Sequence, residues 1–285
     1  MNCINCKNQM TYYFTKKGFK IFKCTHCKLL AVENVPEDLA PFYSEGYFTG
    51  DVTLDGYMDY ELDKEVTKST YVYYLDKIQE QLQGKKNPKL FEVGCATGFF
   101  LQLAKDRGWE VSGIDVSEYA IKKGQEKGLD VVVAAIEDIT SEVKKDVVAM
   151  YDLIEHVKDP LGVLQRTREM LVPGGMIVLT TPDAGSLWAR AWGSKWHAFV
   201  PPQHLFYFSD KNLCDILVVH GFEVVTVAHH GKRFAIPYII RLLYSWTGLK
   251  LFSKLAEWSS HSFLKNIAIP INLRDTAFII ARKKS

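Results

Sequence analysis

Four cysteines near the start of the chain form two Cys-x-x-C pairs, Cys3 with Cys6 and Cys24 with Cys27, with seventeen residues between the pairs. Each pair offers two thiolates to one side of a tetrahedral ion at metal–sulfur distances near ~2.3 Å, so the spacing points to structural zinc, with a rubredoxin-like iron as the minor alternative. Four protein ligands leave no open coordination position, and a catalytic metal is not expected there. The runs "MTYYF" and "FKIFK" on either side of Gly18 read as a hairpin that brings the pairs together. A module below about 40 residues needs its metal to fold. Residues 1–30 hold six lysines and no acid. Two readings stay open for them, a surface for an anionic partner or ordinary solvated charge.

A second constellation lies in "LFEVGCATGFF", with Glu92, Gly94, Cys95 and Gly98, followed by Asp115 at the end of "VSGID". Glycine takes positive φ without steric cost and lets a ligand approach the backbone, at a point where a strand passes into a helix. A carboxylate about twenty residues further on can accept both ribose hydroxyl protons. Together these predict a nucleoside cofactor, whereas the glycines alone would also fit a tight strand-to-helix turn. The dinucleotide fingerprint G-x-G-x-x-G, whose amides close on a pyrophosphate, is absent. The spacing here is E-x-G-x-x-x-G, which suits a ligand without phosphate.

Taken in order, "EVGCATG", "GIDVS", "AAIEDI", "DVVAMYDLIEHVKDP" and "LVPGGMIVLTTPD" resemble the successive motifs of the class I S-adenosylmethionine-dependent methyltransferases, over the stretch from Asn87 to Ala281. The resemblance implies an α/β fold with a Rossmann-like, seven-stranded, mostly parallel sheet. It also implies S-adenosylmethionine as cofactor, held by Glu92, Gly94, Cys95, Gly98, Asp115, Val116, Ile136, Glu137 and Tyr151. The family often places an aspartate against the adenine amino group where this chain has Ala135, which passes that contact to the backbone of Ile136 or to Glu137.

Methyl transfer from a sulfonium is an in-line displacement that needs no metal, so the remaining requirement is a base for a protonated acceptor. His156 follows the fourth strand, whose C-terminal end borders the ligand crevice in such sheets. The competing reading is a loop-anchoring pair with Glu155 ahead of Pro160. His204 lies in "WHAFVPPQHLFYFS", and its "PPQHLFYFS" resembles a segment after the fifth strand of bacterial surface-polysaccharide and deoxysugar methyltransferases. In the sugar C-methyltransferases the matching histidine is preceded by Glu and acts near the methyl group. Here Gln203 precedes it, and a neutral amide orients an imidazole without stabilising its cation, which argues against carbanion chemistry. The competing reading is a histidine satisfied by backbone, with "FSD" capping the next helix. Trp196, His197, Phe199 and Tyr207 read either as a substrate wall or as cover for the sheet.

These side chains need a scaffold, and the chain has the material for one. At 285 residues, 47% hydrophobic and 24% charged, it supports a large domain with satellites, and its net charge of +2 excludes whole-protein attraction to polyanions. Boundaries are expected at 1–34 for a zinc ribbon, 35–86 for a tyrosine-rich linker and lead helix, 87–233 with 267–285 for the methyltransferase domain, and 234–266 for a helical insertion. Tyr43, Tyr47 and Tyr57 in the linker are candidates for a lid. The insertion, with Tyr238, Leu242, Leu243, Trp246, Leu249, Phe252, Leu255 and Trp258 at helical spacing, packs on the core by default, with an apolar acceptor, a second subunit or the membrane surface as the other readings. "MNCINCKNQM" lacks a secretory or transit signal and no run is long enough to span a bilayer, so a cytoplasmic location is expected. A small polar acceptor, sugar or nucleotide-sugar, is the favoured substrate class. RNA methylation through the lysine-rich module and a non-catalytic cofactor-binding scaffold are the alternatives.

Overall fold

The protein was analysed as a computed structural model that describes residues 1–37, 42, 44–49, 59–139, 144–260 and 262–284. Short apolar runs form its centre because strands covered by helices on both faces expose neither side to water. Strands β4 (Lys89–Val93), β5 (Glu110–Asp115), β6 (Val131–Val133), β7 (Lys145–Tyr151) and β8 (Leu171–Pro182) are parallel neighbours in the spatial order β8-β7-β4-β5-β6. Strand β13 (Thr276–Lys283) runs antiparallel beside β8 and carries the edge strand β10 (Phe222–Ala228) on its far side. Seven strands result, as the motif order implies. The N-terminal cysteine cluster is compatible with a zinc ribbon.

Alternation along the strands splits the core in two. Phe91, Val93, Val148 and Met150 face one layer with Leu164, Leu213 and Ile216, while Leu90, Val147 and Ala149 face the other with Leu75, Ile78 and Leu101. The first layer is roofed by α5 (Pro160–Met170) and α7 (Asp210–Val219), the second by α2 (Tyr60–Gln81), α3 (Phe99–Lys105) and α4 (Glu118–Glu126). Each fully buried aliphatic side chain contributes roughly 1.5–3 kcal/mol. Caps place the helix starts: Asp59 accepts from the Leu62 amide of α2, and Ser209 with Asn212 forms a reciprocal capping box on α7.

The cysteine-bearing end folds as β1 (Met10–Lys16) and β2 (Phe19–Cys24), joined at Lys17 and Gly18, both with positive φ, followed by β3 (Leu30–Val32). The fourth strand of this sheet comes from far along the chain. Residues Phe206–Tyr207 of the aromatic segment form β9, which pairs antiparallel with β3 (Leu30 opposite Tyr207, Ala31 opposite Phe206). A two-residue strand carries no readable period, which is why the pairing has no signal in the sequence.

Residues 234–266 lie between β10 and β13 and are flanked by a short hairpin of β11 (Lys232–Ala235) and β12 (Ala268–Ile271). Helices α8 (Ile236–Thr247) and α9 (Lys250–Ser260) fill the stretch. Core packing accounts for only part of it, since Leu251 (65%), Trp258 (62%) and Phe263 (74%) stay exposed. Among the described residues no helix is long and apolar enough to cross a membrane.

Candidate functional site

At the C-terminal ends of β4, β5 and β7 the chain leaves a cavity of about 470 Å³ lined by Gly94, Ala96, Asp115, Val116, Ala135, Ile136, Glu137 and Tyr151, among others. Order at its floor comes from the backbone. The amides of Gly94 and Cys95 both donate to the Ile114 carbonyl (2.8 and 2.9 Å), and the Ala96 amide donates to Asp115 Oδ2 (2.8 Å). Three successive amides are thereby spent on β5, so this loop does not offer the row of free N–H groups that a phosphate cradle uses. Gly94 is at φ +71°, and a Cβ there would meet Leu153 Cδ1 at 2.9 Å.

Asp115 also accepts from the Ser117 amide at Oδ1 (2.9 Å). Burial pushes its carboxyl upward, and the amides of Ser117, Ala96 and Val116 act against that push.

Glu92, Cys95 and Gly98 do not line this cavity. Cys95 is buried beneath the loop, with its Cβ 3.0 Å from where a Cβ on Gly113 would stand, and burial pushes its thiol far up. Gly98, at φ +76°, is the helix-entry residue of α3, and a Cβ there would strike Leu129 Cδ1 at 2.3 Å. Glu92 is 4% exposed, with burial raising its pKa well above the usual carboxyl value and the Lys64 cation opposing the rise. A backbone bond from Leu101 serves this carboxyl, while Oε2 has no hydrogen-bond partner among the described residues.

A second cavity of about 380 Å³ adjoins the first, lined by His197, Gln203, His204, Arg241, Asn272, Arg274 and Asp275 among others. Tyr47, Asp152 and His156 line both cavities. Asp152 has no counterpart among the residues singled out from sequence. It sits at φ +51° just beyond β7, its amide held by the carbonyl and hydroxyl of Thr180 (3.1 and 3.0 Å) while that hydroxyl donates to Asp152 Oδ1 (2.9 Å). Asp tolerates the left-handed region better than most residues. Its one legible cue is its place at the end of a parallel strand. Lys64 and Tyr60 of α2 also line the first cavity and have no sequence signal at all.

The two histidines differ in setting. The His156 ring bonds to the Gln203 backbone, and burial brings its pKa down to about 4. His204 bonds to the Ala198 backbone, its Nδ1 is buried without a partner among the described residues, and burial and the neighbouring His156 hold its pKa well below the usual value. Both rings are neutral at pH 7. Of the two, only His156 borders both cavities.

The aromatic residues around His204 face the N-terminal sheet rather than open space. Trp196, Phe199 and Tyr207 pack with Ile21, Leu30 and Val32, and the Trp196 indole donates to Asp275 Oδ2 (3.1 Å). His197 is the exception, lying on the second cavity with Nε2 3.6 Å from Asp275 Oδ2.

Cys3, Cys6, Cys24 and Cys27 come together as four free thiols whose sulfurs all lie within 4.8 Å of one another. Cys3 stands 3.5 Å from Cys27 and Cys6 3.4 Å from Cys24, close to the ~3.8 Å edge of a sulfur tetrahedron around zinc. Tyr47 and Phe48 of α1 (Glu45–Thr49) sit over the first cavity, with Phe48 packed on Tyr60 and Tyr119. Tyr43 and Tyr57 lie outside the described residues.

Residues 66–227, more than half of the chain, match the family described as "Methyltransferase domain". A ubiquinone biosynthesis O-methyltransferase of Actinobacillus pleuropneumoniae is 33% identical over 119 residues, 38% of this chain and 51% of that protein. Its counterpart in Idiomarina loihiensis is 30% identical over 169 residues, 50% of this chain and 68% of that protein. Otherwise the chain spans about half the length of the curated relatives it matches. Among solved structures, a SAM-dependent methyltransferase from Archaeoglobus fulgidus superposes with a TM-score of 0.52 at 18% identity, covering 79% of this chain and 99% of the other. A SAM-dependent methyltransferase from Thermotoga maritima gives 0.51 at 18% identity, covering 79% and 95%. With the seven-stranded sheet, the glycine turn and this match in hand, the chain belongs to the methyltransferase domain family.

Proposed function

We propose that the protein transfers a methyl group from S-adenosylmethionine to a hydroxyl of a small polar acceptor, with a sugar or nucleotide-sugar as the favoured class. The observation that carries this reading is the meeting of two cavities at Asp152, His156 and Tyr47, one lined by the glycine turn and Asp115 and one lined by polar side chains. When bound, S-adenosylmethionine supplies an electrophilic methyl carbon. Asp115 would hold the ribose hydroxyls, the Ile136 backbone or Glu137 would meet the adenine amino group, and Val116 and Tyr151 would line the rest of the pocket. Tyr47 and Phe48 cover it and exclude water.

On the acceptor side, Arg241 and Arg274 line the wall with His197 and Asn272, which suits hydroxyls and an anionic substituent. His156 is the proton acceptor. Its neutral ring donates one N–H to the Gln203 carbonyl and carries a lone pair on the other nitrogen. Because the methyl is delivered as the hydroxyl proton leaves, the neutral ring is asked only to accept that proton in the displacement. His204 stands behind it as the ring that orients it. The O-methyltransferases among its relatives favour oxygen as the methylated atom. Zinc at the four cysteines is structural in this reading.

Calorimetric titration of S-adenosylmethionine, followed by S-adenosylhomocysteine production with a panel of sugars and nucleotide-sugars, tests the proposal. A folded protein that does not bind the cofactor sinks it. His156→Gln is expected to lower kcat by roughly 10²–10⁴ with cofactor affinity unchanged, and His204→Gln by less.

A further inference from the structure

We infer that the four-cysteine module is part of the acceptor side of the site, and that the metal it holds keeps His156 and His204 in register. The inference takes the second cavity as the acceptor's, the reading proposed above. A continuous backbone path carries it. Cys24 ends β2, its amide donates to the Leu29 carbonyl (2.9 Å), and β2 pairs with β3 through Ile21 opposite Val32 and Lys23 opposite Leu30. Strand β3 then holds β9, with the Val32 amide donating to the Leu205 carbonyl (2.9 Å). From β9 the amides of Leu205 and Phe206 both donate to the Glu155 carbonyl (2.8 and 3.1 Å). The His156 ring closes the circuit on the Gln203 backbone.

Side chains follow the same route. Cys3, Cys24, Leu29 and Ala31 share one buried cluster with Leu205, Phe206, Phe208 and Leu213, and the Asn212 amide group donates to the Cys27 carbonyl (3.4 Å). A two-residue strand such as β9 has little stability of its own, and its pairing with the partner strand β3 adds to the hold of the Glu155 carbonyl and of the Ala184 amide on the Phe208 carbonyl (2.7 Å). That partner belongs to a module too small to fold without its ion. The cofactor turn has a different anchor, since the amides of Gly94, Cys95 and Ala96 are tied to β5. Loss of the metal is therefore felt first at the two imidazoles, of which His156 also borders the nucleoside pocket, while the glycine turn keeps its separate anchor on β5.

The experiment uses the full chain, stripped of metal with a chelator under reducing conditions and then reloaded with zinc. Three quantities are read: amide hydrogen exchange, ring nitrogen resonances of labelled histidines, and S-adenosylmethionine affinity. The expected result is about tenfold or greater acceleration of exchange at Val32, Leu205 and Phe206, displaced His156 and His204 ring signals, and cofactor affinity held within about twofold, all reversed by zinc. Val32→Pro removes the donor to Leu205 without touching a cysteine, and is expected to displace the same ring signals while the metal stays bound. The inference is overturned if stripping leaves exchange and ring signals unchanged, if cofactor affinity falls in parallel with them, or if Val32→Pro leaves both rings in place. Cofactor binding by the zinc-loaded protein tests the proposed function separately, and the ring signals are readable whatever the acceptor is.

Discussion

The imidazoles of His156 and His204 meet edge to face, with ring centroids 4.6 Å apart and planes at 88°. Burial brings His156 down to about 4 and, with His156 beside it, holds His204 well below its usual value. An unfolded histidine titrates near ~6.5, so as pH falls the unfolded chain takes up these protons first. The stabilising contribution is complete above ~6.5 and is lost as pH falls toward 4, by up to about 3 kcal/mol for His156. Urea denaturation at a series of pH values should show this loss below pH 6.5, and His156→Gln should flatten it. A pH dependence that His156→Gln leaves unchanged would contradict the burial of this ring, because the raised carboxyls of Glu92 and Asp115 move stability the other way as pH falls.

Asp115 accepts backbone hydrogen bonds from Ser117, Ala96 and Val116, and in the proposed function it also takes the ribose hydroxyls. Asp115→Asn removes the charge and leaves a single acceptor oxygen for these amides and a ligand. Cofactor affinity is expected to fall by about 1.5–3 kcal/mol, ten- to a hundredfold, as measured by calorimetry. An unchanged affinity would move the ribose contact to another residue.

Gly94→Ala places a Cβ 2.9 Å from the flexible end of Leu153 at a φ of +71°. The left-handed conformation costs a non-glycine residue about 1–2 kcal/mol, and the leucine shifts toward the cavity it lines. Both stability and cofactor affinity should drop together, read by thermal unfolding with and without S-adenosylmethionine. At Gly98 the clash is shorter, 2.3 Å, so the same substitution there should cost stability more.

Trp196→Phe keeps most of the ring in its fully buried place and removes the N–H that serves Asp275 Oδ2. A buried acceptor left without its donor costs about 1–3 kcal/mol. Chemical denaturation should register this loss, and His197, which shares the same carboxylate oxygen, should show a displaced ring resonance. A neutral substitution would mean that water replaces the indole.

Several features were legible because their signals are local. A glycine at the end of β4, an acid at the end of β5 and two Cys-x-x-C pairs each state a requirement of their own neighbourhood: a backbone angle, a strand-end carboxylate, a ligand spacing. The layered sheet was readable in the same way, since short apolar runs leave little choice but strands covered by helices on both faces, whereas the spatial order of the strands was not. Even so, membership of the glycine motif does not place a side chain in the pocket. Cys95 turns under the loop and Gly98 serves the helix start, because the residues at successive positions of a tight turn face different directions.

By itself, the sequence determined a seven-stranded methyltransferase sheet, a nucleoside-shaped turn with Asp115 beside it, and a cluster of four thiols. Only the tertiary structure decided that Phe206–Tyr207 would complete the sheet of the cysteine module, that Asp152 would stand in a left-handed conformation where two cavities meet, and that His156 rather than His204 would border both. It also turned Trp196, Phe199 and Tyr207 toward the N-terminal sheet. The reason is range: pairing of β3 with β9 joins segments far apart in the chain through a strand too short to show a period, and the low pKa of each histidine comes from burial by residues that no local pattern names.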